Sequence, residues 1–226
     1  MSGILINVGS SSNDLNGRGR VFNDLTFEYL PIPETSITRK EVPTYAQLGF
    51  AHVKYPRKRA HLDPEFQTFT YGHVRRGFGD IERLVGLTRN DVLFFMATLQ
   101  KEKDWSTYIT GYFRNLEVHD CRELSGKEIL SKMSKLFSNN AHMKRVDPSV
   151  DVLVKGGQGS KLLEKVFPLA ENNDHLALRK PLRKFIHTST GKKITAGTPW
   201  YRWTLCCVRN ERLLGLLNLR QPKVQY

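Results

Sequence analysis

The chain has 226 residues, 39% of them hydrophobic and 10% aromatic, which is enough for a sizeable core and too apolar for a disordered chain. Its formal net charge of +13 points to a polyanionic partner, nucleic acid ahead of an anionic membrane surface. The longest apolar runs, Val92–Ala97 and Leu213–Leu217, fall far short of the ~20 residues that cross a bilayer, so no membrane partner is expected.

Residues 4–8 (ILINV) read as the first strand and 9–20 (GSSSNDLNGRGR) as a loop of turn chemistry. Residues 21–34 read as a strand stopped by Pro31 and Pro33, and Thr44–Leu48 as a helical turn after Pro43. Residues 54–80 have no periodicity, and an irregular stretch of that length inside a compact domain usually carries function. A short helix is expected over 80–87, capped by Asp80 and closed at Gly86. Residues 92–100 (VLFFMATLQ) and the segment from Trp105 onward then form a strand–loop–strand unit of an antiparallel sheet.

The clearest helix is 125–137. Ser125 and Glu128 stand at capping-box spacing, and Ile129, Met133, Leu136 and Phe137 share one face. A strand is expected over 150–156, a glycine turn follows, and 160–170 reads as a helix opening at Ser160. Residues 171–199 read as polar, basic loop with a short helix over Leu182–His187, and 200–208 as a strand or mixed segment. No repeat or linker divides the chain, so residues 1–226 are expected to form one mixed α+β domain.

The charge is uneven: residues 1–120 carry 15 Lys and Arg against 14 Asp and Glu, and residues 121–226 carry 20 against 8. A basic half marks a binding face better than it marks general solubility. Within it, KGGQGSK (155–161) follows a strand, and RKPLRKFIHTSTGKK (179–193) concentrates cations. The first is a phosphate cradle or a plain tight turn, and it lacks Walker A and GxGxxG spacing. Lys155, Lys161, Arg179, Lys180, Arg183 and Lys184 are the expected phosphate contacts. KYPRKRAH (54–61) is a second basic cluster in the balanced half. Aromatics interleaved with cations, as in Trp200-Tyr201-Arg202-Trp203, suit base stacking. Tyr108 and Tyr112 have the even spacing of residues on one strand face, while Phe113 takes the other.

Cys121, Cys206 and Cys207 have no CxxC spacing, and the N-terminus has no basic or long apolar signal region, so a reduced, cytoplasmic location is expected. His61 and Asp63 could be an acid–base pair or two metal ligands, but the other histidines, His142 among them, are scattered without ligand spacing. No metal, cofactor or catalytic residue is assigned, and Asp63-Pro64 reads first as a turn.

The ordered segments ILINVGSSS, LPIPE, AHLDPEF, FTYG, FGDIERLVGLTRNDVLFFMATLQ and DWSTYITGYFRNLEV resemble the third of the nucleotide modification associated domain families, closely over residues 1–120 and loosely beyond. The resemblance implies systems that modify or recognise altered DNA bases, with partner proteins of a modification or defence system. The strand pattern and NDVLFF are also similar to the PUA-like group of EVE, ASCH and YTH domains. That likeness implies a small curved β-barrel, mostly antiparallel, with flanking helices, holding a flipped base in an aromatic and polar pocket. Gly9, Ser11, His61, Asp63 and Pro64 match motif positions.

Two functions follow as expectations. The first is a nucleic-acid-binding module for DNA or RNA, with Ser11, Asp63, Trp105, Tyr108, Trp200 and Trp203 around a base. The alternative is an enzyme on nucleotides or nucleic acid that uses Asp63, Glu65 and His61.

Overall fold

The structure is a computed structural model and describes residues 3–9, 17–74, 80–171, 174–188, 193–194, 205–207 and 210–218. In chain order the first half gives β1 (Gly3–Asn7), β2 (Ile32–Pro33), β3 (Ala60–His61), β4 (Thr70–His73), α1 (Asp80–Val85), β5 (Val92–Lys101), β6 (Asp104–Phe113) and β7 (Glu117–Asp120). The second half gives α2 (Gly126–Met133), β8 (Val152–Lys155), β9 (Lys161–Pro168), β10 (Ala170–Glu171), β11 (Asp174–Leu178), β12 (Ile186–Thr188), β13 (Leu205–Cys207) and α3 (Asn210–Asn218).

A six-stranded sheet in the order β12-β13-β1-β5-β6-β9 is the backbone of the fold. Its neighbours pair antiparallel except β1 and β5, which run parallel. Along β1 and β5 the side chains alternate between two cores. Leu5, Phe94 and Met96 face one that holds Phe185, Ile186, Leu205 and the α3 leucines. Ile4, Ile6, Leu93 and Phe95 face the other, with Tyr71, Val152, Val154, Ile81 and Leu84. Both faces are covered, which is why the Val92–Ala97 run reads as continuous apolar sequence.

The second core joins the large sheet to a three-stranded antiparallel sheet, β4-β8-β7. On the far side of β8, Leu153 meets Ile129 of α2, with Phe137 and Met143. The α2 start carries the expected capping box: Ser125 Oγ accepts from Glu128 N, and the Glu128 carboxylate accepts from Ser125 N at 2.9 Å. Among the described residues no sheet closes into the curved barrel that the PUA-like likeness implies, and the architecture is an open, mixed α+β arrangement. No described helix is long and apolar enough to cross a membrane.

Further expectations meet a correction here: within 21–34 only Ile32–Pro33 is a strand, and strands β11 and β12 lie in the stretch read as loop. Residues 161–168 form strand β9, not a helix, because β6 offers an open edge. A bulge in that pairing, between Ile109 and Gly111, resets the alternation, so buried Leu163, Val166 and Phe167 fall at helix-like spacing. The same irregularity places Tyr108 with Val166 and Leu99 but Tyr112 with Phe94 and Ile109, so the two tyrosines do not share a face. Residues 180–185 form turns rather than a helix. Gly111 sits where the chain crowds: an added Cβ would lie 2.6 Å from the Phe66 ring and 2.8 Å from the Lys161 carbonyl oxygen.

Candidate functional site

The HLDPE stretch is drawn inward by β3, whose Ala60 and His61 are buried and pair with β2. It meets the loop and 3-10 turn after α2, around Asn140 and His142. The Asp63 carboxylate therefore faces neither open solvent nor its own turn. Its Oδ1 accepts from Gly72 N at 2.8 Å and from Asn140 Nδ2 at 2.9 Å. Its Oδ2 lies 3.3 Å from His142 Nε2. Both side chains keep only 5% exposure.

A second carboxylate locks the opposite side. His61 Nδ1 donates to Glu34 Oε2 at 2.6 Å, and Arg145 reaches Glu34 Oε2 through Nε at 3.2 Å and Oε1 through Nη2 at 3.1 Å. Arg145 Nη1 also lies 3.2 Å from His142 Nδ1, and the two imidazole rings meet edge to face at 4.7 Å. Both ring nitrogens of His142 thus have a polar neighbour, Arg145 at Nδ1 and Asp63 at Nε2.

Burial works to raise the Glu34 carboxyl, but hydrogen bonds from His61, Ser36 N–H and Arg145 outweigh it and hold the group at about 2. Burial pushes the His142 imidazole below its ordinary value, against the opposing pull of Asp63. Titratable groups so buried and so closely coupled mark functional centres more often than ordinary surface. Glu65, which the sequence groups with Asp63, turns back onto its own loop and accepts from Gln67 N, Thr68 N and Thr68 Oγ1.

A separate open pocket of about 450 Å³ is lined by Arg18, Arg20, Phe22, His52, Lys54 and Gln100, with Glu102 as its carboxylate. Gln100 N donates to the Gly19 carbonyl, and Val21 N donates to the Gln100 carbonyl, so the end of β5 frames one wall. Gly19 is required by a close approach, since a Cβ there would lie 2.0 Å from the Glu28 carbonyl oxygen. The Arg18 guanidinium lies 4.9 Å from the Trp105 ring centre, and Arg20, held by both Glu28 oxygens at 2.8 Å, lies 5.8 Å from the Phe22 ring centre. Phe22 is 43% exposed.

Of the residues expected around a base, Ser11, Trp200 and Trp203 lie outside the described residues. Asp63 belongs to the buried polar group, Trp105 lies under Arg18, and Tyr108 is buried among Val21, Ala97, Leu99 and Val166. Their described partners do not overlap. Of the expected phosphate contacts, Lys155 donates to the Thr68 carbonyl, Arg179 to the Pro168 carbonyl at 3.4 Å and Arg183 to the Leu178 carbonyl at 2.6 Å. Lys161 is half-buried, while Lys180 and Lys184 are exposed.

The glycine run joins two strands, not a strand and a helix, so no helix terminus stands behind it. Three of its N–H groups are committed within the protein: Gly156 donates to Phe69 O, Gly157 to Arg114 O and Ser160 to Gly157 O. His142, Glu34, Arg145 and Asn140 escape sequence reasoning because no local spacing links them to His61. Arg18 carries no motif, and Lys54 is legible only as part of a basic cluster.

The family model described as nucleotide modification associated domain 3 matches residues 2–213. No curated protein and no solved structure matches the chain.

Proposed function

The chain belongs to the nucleotide modification associated domain 3 family, which ties it to nucleotide or nucleic-acid modification, and on that premise we propose that it binds nucleic acid through the Arg18–Lys54 pocket. The observation that carries this reading is an open space of about 450 Å³ where three cations surround an exposed phenyl ring. A nucleotide needs these two features together: cations for the phosphate and an apolar face for the base. The volume falls in the range of ligand pockets, and Gln100 and Asn23 add polar groups that can read a base edge. The net charge of +13 supplies long-range attraction, to which exposed Lys180 and Lys184 contribute. A modified or flipped base is the ligand this reading favours, with partner proteins of a modification system around it.

The test is fluorescence anisotropy with plain and modified DNA and with RNA, across a salt series, on wild type and the Arg18→Ala/Lys54→Ala variant. Removing two phosphate contacts is expected to flatten the slope of log K against log salt by about 1.4 for single strands. No binding by the wild type at low salt to any of these ligands would sink the proposal. Undiminished affinity in the variant would move the interface to the 179–184 stretch.

A second reading, an enzyme on nucleotides or nucleic acid, is favoured by the buried group of His61, Asp63 and His142 beside Glu34 and Arg145. On this reading His142, rather than Glu65, stands with His61 and Asp63.

A further inference from the structure

We propose that His61, Asp63 and His142 form a binding site for one divalent first-row transition-metal ion. The ligand atoms of the three side chains all lie within 4.8 Å of one another, and all three are buried. His142 Nε2 and Asp63 Oδ2 are 3.3 Å apart. Two donors held at ~2.0–2.1 Å from a tetrahedral ion stand about 3.3 Å from each other, so this pair already stands at ligand separation; Nε2 takes the ion with the imidazole proton on Nδ1, from which Arg145 Nη1, 3.2 Å away, then turns aside.

The surroundings already have the form of a metal site's outer layer. A ligating histidine typically gives its other ring N–H to a carboxylate, which fixes the ring and raises its basicity. His61 Nδ1 does this to Glu34 at 2.6 Å, leaving Nε2 for the ion. Glu34 is in turn fixed by Arg145 and by Ser36 N–H at 2.8 Å. Asp63 has one oxygen saturated by Gly72 and Asn140, which turns the other toward His142. The His142 backbone N–H is held by Asn140 Oδ1 at 3.0 Å, so one asparagine positions two ligands.

Charge is compatible. With neutral imidazoles, Glu34, Asp63 and Arg145 sum to −1, and a divalent ion brings the group to +1. Two imidazoles and one carboxylate suit zinc, ferrous, cobaltous or nickel ions and not magnesium, which takes oxygen donors and keeps its waters. Three protein ligands leave a coordination position for water or substrate, the pattern of catalytic rather than closed structural sites. The side chains keep 4–5% exposure, so the ion enters as the chain folds or through slow opening.

The experiment is metal analysis of the purified protein, then chelator stripping and titration with Co²⁺, Zn²⁺ and Mg²⁺, read by visible d–d absorption and by melting temperature. One equivalent of Co²⁺ is expected to give the absorption of a nitrogen- and oxygen-ligated ion, Zn²⁺ to displace it and raise the melting temperature, and Mg²⁺ to do neither. His142→Asn and Asp63→Asn are each expected to weaken Co²⁺ binding more than tenfold. Glu34→Gln, which only positions His61, is expected to weaken it about 10- to 100-fold. Since ligand variants can misfold, the stripped wild type is decisive by itself. A folded wild type with neither a cobalt spectrum nor a zinc-dependent melting shift overturns the site. So does a spectrum that survives in folded His142→Asn, which would place the ion elsewhere, such as exposed His52.

Discussion

Acid should weaken this fold through one identifiable carboxylate. Glu34 has a side chain with 0% exposure, and His61, Arg145 and Ser36 N–H together hold its carboxyl at about 2 against an ordinary 4.5. The folded value is lowered, so the stabilisation is fully present above pH ~4.5 and is lost as pH falls toward 2. The difference of roughly 2.5 pH units corresponds to about 3 kcal/mol at neutral pH. By pH 3 about 2 kcal/mol of that is gone. Other carboxylates titrate over the same range, so the perturbation is Glu34→Gln, and the quantity of interest is its stability gap from wild type. Urea denaturation at pH 7, 5, 4 and 3 measures that gap, which is expected to be widest at pH 7 and to narrow by about 2 kcal/mol at pH 3. A gap that stays constant or widens in acid would show that Glu34 is not the buried, ionised partner of His61 and Arg145.

Ser125→Ala removes one half of the α2 capping box and is expected to cost about 1 kcal/mol, a fall of about 2–4 °C in melting temperature. Thermal denaturation by circular dichroism checks it, and an unchanged melting temperature would mean that the cap contributes nothing. Burial, and after it Asp120, pushes the Cys121 thiol up to about 11, so it should resist thiol reagents at pH 8 in a Cys206→Ser/Cys207→Ser background until denaturant is added. Fast labelling of the native protein would contradict that burial. Gly111→Ala places a methyl against the Phe66 ring and the Lys161 carbonyl and should destabilise by about 1–3 kcal/mol, as overpacked positions do. Chemical denaturation checks it, and a stability equal to wild type would show that the β6–β9 crossing has slack.

Much of the fold is local and therefore readable in the sequence. The α2 helix announces itself by Ser125, Glu128 and an apolar face, and β5 and β6 by apolar runs either side of a charged turn. The α3 helix buries Leu213, Leu214 and Leu217, which stand at helical spacing within what reads in the sequence only as a short apolar run. The family is legible too, because its motifs are short, ordered stretches of chain. Strand β9 was not legible: which period a short apolar segment adopts depends on the edge it meets, and the bulge against β6 disguised that edge. The candidate site was half legible. His61 and Asp63 stand two residues apart and are legible as a pair, but Glu34, Asn140, His142 and Arg145 reach them from elsewhere in the chain. Composition fixes the total charge and its tilt toward the C-terminal half, because charge is a property of residues wherever they sit. Only the tertiary structure decides where the cations end up, since Lys155, Arg179 and Arg183 reach backbone carbonyls while Arg18, Arg20 and Lys54 line an open pocket. Which carboxylate meets which imidazole is likewise set by packing, because the β2–β3 pairing and the loop after α2 join positions that no local interaction relates.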